Sequence, residues 1–212
     1  MSNIAEFDAA FARCPLIAIL RGVKPDEVEG IGDALVDAGF TLIEVPLNSP
    51  DPLESIARLA KRFAGKAVTG AGTVLREAEV AAVRAAGGTM IISPNANRQV
   101  IAASAAAGLV SLPGVATPSE AFAALDAGAT ALKLFPAEGA SPAVLKAMRA
   151  VLPRETRVLP VGGIAPDNMA PWLEAGAAGF GIASSLYKHG FDAAEVAERA
   201  KAFVAALGQL SR

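Results

Sequence analysis

The feature that most constrains this chain is a strand-and-helix alternation that repeats eight times without a break. Short apolar runs at 16–20, 41–46, 67–72, 89–93, 109–114, 130–136, 157–163 and 179–184 each precede a segment with helical spacing. Those helical segments read as 24–39, 52–63, 76–88, 97–108, 117–128, 142–151, 167–177 and 192–207, with an extra short helix at 5–13. Several close on Ala-Gly, as in "DAGF", "AAGG", "AAGL", "DAGA" and "EAGA", where glycine accepts the left-handed backbone that ends a helix. Apolar strands alternating with helices imply a parallel sheet covered by helices. Eight units with no linker or shift in composition predict one α/β domain over 1–212, a closed (β/α)8 barrel with a short extra N-terminal helix, in preference to an open doubly wound sheet. The length of 212 residues suits such a barrel with short loops.

A barrel places its chemistry at the C-terminal ends of its strands. Side chains alternate along a strand. In "ALKLFP" the two leucines suit the helix-facing side, so Lys133 and Phe135 turn inward. The same alternation in "TLIEVP" turns Ile43 and Val45 outward and Glu44 inward. In "LIAILRG", Arg21 shares a face with Ile17 and Ile19 near the strand end. Three charged residues therefore converge on one mouth. A buried ion-pair network without chemistry would do little for stability, because desolvation offsets most of the attraction. A reactive lysine is the better reading. Burial beside Phe135, with Arg21 nearby, favours the neutral amine that can attack a carbonyl, whereas an ionised Glu44 would hold the proton on it. Lys133 as nucleophile and Glu44 as acid/base suit imine chemistry.

Opposite this pair stand "PVGGI" and "GIASS". Loops after the seventh and eighth strands commonly seat phosphate on backbone N–H groups, so Gly162, Gly163 and Ser184 are expected to hold an anion. "GAGTVL" lacks the third glycine of a dinucleotide fingerprint, since residue 75 is leucine.

Cysteine and histidine use excludes much else. With one cysteine, Cys14, and one histidine, His189, the chain offers neither an internal disulfide nor a multi-histidine zinc site. No metal and no cofactor are expected. His189 lies before a glycine in a turn signal, a poor place for a Ser-His-Asp triad. A net charge of −2 suggests neither nucleic acid nor an anionic membrane as partner. The N-terminal stretch lacks the basic start and apolar run of a signal peptide, so a cytoplasmic location is expected.

The segments "LIAILRG", "IEVPLNSP", "GAGTVL", "ISPN", "ALKLFPA", "PVGGI" and "SSLY", in this order, resemble the bacterial 2-keto-3-deoxy-6-phosphogluconate/6-phosphogalactonate aldolases over about residues 14–207. The resemblance implies a (β/α)8 barrel, a homotrimer and a metal-free Schiff-base cleavage of a phosphorylated keto-deoxy sugar acid into pyruvate and glyceraldehyde 3-phosphate. It implies Lys133 as imine-forming lysine, Glu44 as acid/base, Arg21 and Thr73 on the pyruvate half, and Phe135 beside the imine. It also implies Gly162, Gly163 and Ser184 on the phosphate. The gluconate branch usually carries arginine and threonine where this chain has Asn48 and Val161. The pattern is similar to the galactonate branch, and Asn48 and Val161 become the residues expected to read the middle of the substrate. Ala183 stands where the family more often has glycine, which a negative φ would tolerate. A broad-specificity gluconate-type aldolase and a non-catalytic phosphosugar-binding barrel are the alternatives.

Overall fold

A computed structural model describes residues 2–210. Parallel strands are laid side by side in chain order: β1 (Leu16–Ile19), β2 (Leu42–Pro46), β3 (Val68–Gly72), β4 (Met90–Ile92), β5 (Val110–Leu112), β6 (Gly114–Val115), β7 (Leu132–Leu134), β8 (Val158–Pro160) and β9 (Phe180–Ile182). Six of them form one sheet in the order β5-β4-β3-β2-β1-β9, and the other three form a second, β6-β7-β8. The two sheets meet at both ends. Thr130 and Ala131 donate their N–H groups to the Ser111 carbonyl at 2.9 and 3.3 Å. On the far side Ala178 N–H reaches the Val158 carbonyl at 3.0 Å, and Val161 bridges Gly181.

The helices are α1 (Asn3–Arg13), α2 (Val28–Ala38), α3 (Pro52–Arg62), α4 (Glu77–Ala85), α5 (Arg98–Ala106), α6 (Pro118–Asp126), α7 (Pro142–Arg149), α8 (Met169–Glu174) and α9 (Ala193–Leu210). Their starts follow local chemistry: Ser2, Asn97, Thr117 and Ser141 each accept a backbone N–H with the side chain at the N-cap, satisfying donors that the first turn leaves open.

The strand expected at 109–114 is two strands. Pro113 has no N–H to give to a ladder, so β5 ends at Leu112, and the chain resumes as β6 beside β7. Most helices are trimmed at their ends, α2 and α8 the most. Residues 24–27 form a turn, tied by Lys24 N–H to Glu27 Oε1 at 2.9 Å, and α2 begins only at Val28. The helix expected over 167–177 is reduced to the six residues of α8.

Alternation sorts the buried side chains into two layers. Leu16, Ala18, Leu20, Ile43, Val45, Leu132 and Leu134 join the layer between strands and helices. Ile17, Leu42, Met90, Ile92, Leu112, Ala131 and Leu159 form a separate interior cluster, together with Phe7 and Phe11 of α1. α1 thus lies across one end of the strands and fills it with two aromatic rings. Arg157 ties it down, pairing with Asp8 at 2.5 Å and stacking 5.1 Å from the Phe11 ring. The other end is left for the site.

Candidate active site

Lys133 and Glu44 point into the interior from β7 and β2, as their alternation requires. Lys133 is 6% exposed and Glu44 2%. Together they line a small internal cavity of about 10 Å³, whose other walls include Ile17, Ile19, Ile92, Leu112 and Leu159, enough for about one water-sized group. Burial dominates both titrations. It lowers the Lys133 ammonium below its ordinary value, with Glu44 opposing and Arg21 assisting. It raises the Glu44 carboxyl to about 7, against the pull of Lys133 and Arg21. Glu44 Oε2 is buried without a hydrogen-bond partner among the described residues. Lys133 Nζ sits 4.5 Å from the centre of the Phe135 ring. An amine held toward neutrality beside a carboxyl titrating near neutrality can act as nucleophile and proton carrier.

Above this pair opens a cavity of about 460 Å³. Buried Lys133 and Val161 line it, with Gly163 and Ser184 on its exposed rim and Arg21, Phe135 and Gly162 also on its wall. Gly162 and Gly163 adopt φ +115° and +64°, a backbone shape that side chains resist. The N–H groups of Gly162, Gly163 and Ser184 donate to no other described group. Free backbone donors beside Arg21 and Lys188 on a cationic wall can seat an anion. Ala183 keeps a negative φ, so the loop tolerates it as the sequence reading required.

Two expected residues stand elsewhere. Asn48 is not on the cavity wall; its Oδ1 accepts from Arg21 Nη1 at 2.8 Å, so it touches the site through the guanidinium. Thr73 follows Gly72 at the end of β3 with φ +57°, an uncommon conformation for a β-branched residue and one that clusters at functional sites. His189, Lys188 and the buried Tyr187 also line this cavity, and His189 Nδ1 lies 3.2 Å from the Gly22 carbonyl. Among the described residues, no three His, Cys, Asp or Glu side chains are grouped to hold a metal ion.

Sequence reasoning overlooked two participants. Gly72 is the floor on which Glu44 rests: a Cβ there would stand 1.9 Å from Glu44 Oε2. The signal was present in "GAGT", where glycines permit close approach of another chain segment. Glu138 also lines the larger cavity. It lies in the 3-10 turn Ala137–Gly139 directly after β7, and only its closeness in sequence to Lys133 hinted at this.

A buried lysine beside a buried acid, next to a loop with free backbone donors, is an arrangement that suits Schiff-base aldolase chemistry. The sequence model of the KDPG and KHG aldolases matches residues 7–202, and the chain belongs to that family. Within it, the chain is 48% identical to the probable 2-dehydro-3-deoxy-6-phosphogalactonate aldolase of Rhizobium meliloti (strain 1021), covering 91% of each chain. It is 45% identical to the 2-dehydro-3-deoxy-6-phosphogalactonate aldolase of Escherichia coli (strain K12), over 92% of this chain and 95% of that one. The solved structure described as native KDPGal superposes with a TM-score of 0.93 at 44% identity, covering 94% of this chain and 97% of that one.

Proposed function

We propose that this protein is a Schiff-base aldolase that cleaves 2-dehydro-3-deoxy-6-phosphogalactonate into pyruvate and D-glyceraldehyde 3-phosphate. The observation that carries it is the pairing of Lys133 and Glu44 in one apolar interior, each shifted by burial toward its neutral form. Neutral Lys133 Nζ adds to the C2 carbonyl to give a carbinolamine. Its hydroxyl leaves as water with a proton from Glu44, and an iminium remains. The iminium draws in the electrons of the C3–C4 bond while the C4 hydroxyl returns a proton to Glu44. The aldehyde departs, and an enamine of pyruvate is left. Protonation at C3 and addition of water at C2 release pyruvate and free amine. A group titrating near 7 can give and take these protons at neutral pH.

The remaining assignments follow the same reading. Arg21, held by Asn48, and Thr73 receive the carboxylate end. Gly162, Gly163 and Ser184 receive the phosphate. Val161, which is buried on the cavity wall, faces the hydroxyls between. The paired ends of the two sheets support closure into a (β/α)8 barrel. Phe122 on α6 and Val144 and Val151 on and after α7 are large apolar residues left exposed, available to a subunit contact in the homotrimer that the family resemblance implies. A cytoplasmic location goes with the substrate, since phosphate esters do not cross membranes unaided.

Pyruvate with borohydride should add one reduced pyruvyl group, at Lys133. Lys133→Ala should abolish both the adduct and pyruvate release from the phosphorylated sugar acid. An adduct at another lysine, or a loss of activity under tenfold, would refute the mechanism.

A further inference from the structure

The rim of the large cavity carries one group that an anion-binding loop should not want. Glu138 is the only carboxylate among the described residues lining that cavity, whose other charged walls are Arg21, Lys133 and Lys188. Its side chain lies against the loop itself. A Cβ at Gly162 would stand 1.9 Å from Glu138 Oε2, and one at Gly163 3.0 Å from Glu138 Cγ. The carboxylate therefore occupies the side of both glycines from which any other residue's side chain would project. It makes no hydrogen bond or ion pair with a described residue, and the N–H groups of Gly162 and Gly163 do not bind it. Glu138 is thus an exposed carboxylate beside free donors, without a hydrogen-bond or ion-pair partner among the described residues.

We propose that Glu138 is a specificity-determining residue at the phosphate end, which weakens the loop's hold on free phosphate relative to a phosphate borne by an anchored substrate. This rests on the reading of Gly162, Gly163 and Ser184 as the phosphate seat. A carboxylate within a few ångströms of a dianion repels it. Inorganic phosphate bears the whole of that repulsion, because nothing else ties it to the site. A phosphate on a sugar acid already held at Lys133 arrives at a high effective concentration. It can then push the exposed Glu138 side chain aside or bind beside it. The same repulsion speeds departure of the phosphorylated aldehyde once the C3–C4 bond has broken. A hydroxyl acceptor is the competing role, but the contacts that place the carboxylate are with the loop glycines Gly162 and Gly163.

The test is a calorimetric titration of the intact protein with inorganic phosphate, comparing wild type, Glu138→Gln and Glu138→Ala after circular dichroism confirms folding. Glu138→Gln keeps the shape and removes the charge. It should bind phosphate roughly three- to tenfold more tightly at low ionic strength, with a narrower gap at high salt. Glu138→Ala should move in the same direction. Equal or weaker binding by the glutamine variant would overturn the proposal. So would tightening in the alanine variant alone, which would mark a packing effect, or a failure of all three proteins to bind phosphate. The titration needs no turnover. A wild type that does not cleave the sugar acid therefore refutes the activity and leaves the Glu138 effect readable, while normal cleavage without a Glu138 effect refutes this proposal alone.

Discussion

Glu44 is a site residue whose chemistry the fold strongly displaces. Its carboxyl rises from 4.5 to about 7 on burial. Between those values the folded protein keeps a proton that the unfolded chain has released, so Glu44 makes stability fall as pH rises through that window. The gap caps the effect at roughly 3 kcal/mol. Lys133 is shifted downward and acts with the opposite sign at higher pH, where the unfolded chain holds the extra proton. Thermal denaturation from pH 4.5 to 7 should therefore show wild type losing stability relative to Glu44→Gln, and parallel curves would contradict the buried carboxyl. Val161 offers a test of substrate choice. Its side chain cannot hydrogen-bond a hydroxyl, whereas threonine of nearly the same shape can. The galacto epimer should be cleaved efficiently and the gluco epimer no better. Val161→Thr should shift kcat/KM toward the gluco epimer by about ten- to a hundredfold. A wild type that strongly prefers the gluco epimer, or an unchanged ratio, would sink that assignment and spare the aldolase.

Strands and the loops that follow them differ in how much of the site they disclose in advance. The period of two fixed the inward turn of Lys133 and Glu44, because each stands between residues that had to face the helices. Loop positions obey no period. Nothing in "EVPLNSP" says that Asn48 would turn to Arg21, or in "FPAEG" that Glu138 would lie on the glycines that follow the next strand. Pro113 is visible in the sequence, but the apolar character of 109–114 is continuous across it and hides the break between β5 and β6. β3 shows what glycine does inside a strand. Gly70 leaves room for the Met90 carbonyl and Gly72 for the Glu44 carboxyl. Gly72→Ala should displace Glu44 and cost about 1–3 kcal/mol by overpacking, with at least a tenfold loss of activity. Gly208→Ala is the matched control: nothing lies within 4 Å of its added Cβ in α9, and better helix propensity should add roughly 0.5–1 kcal/mol. Urea denaturation and pyruvate release measured on both variants decide the point.

For the molecule as a whole, the alternation of strands and helices disclosed the architecture, because eight apolar runs of similar length leave few other ways to bury both faces of a parallel sheet. The purpose of the N-terminal helix was hidden: its amphipathic pattern says that one face is buried, not that Phe7 and Phe11 would fill the end of the strand interior. That stopper governs traffic. With one end closed by aromatic rings, everything that enters or leaves must use the same doorway, and the deepest guest goes in first and out last. On the mechanism proposed above, pyruvate bonded to Lys133 would be trapped until the aldehyde had gone. Product inhibition should show the corresponding asymmetry, with pyruvate competing directly against the sugar acid and glyceraldehyde 3-phosphate inhibiting noncompetitively. In the condensing direction, an aldehyde that arrives before pyruvate blocks the corridor and must back out.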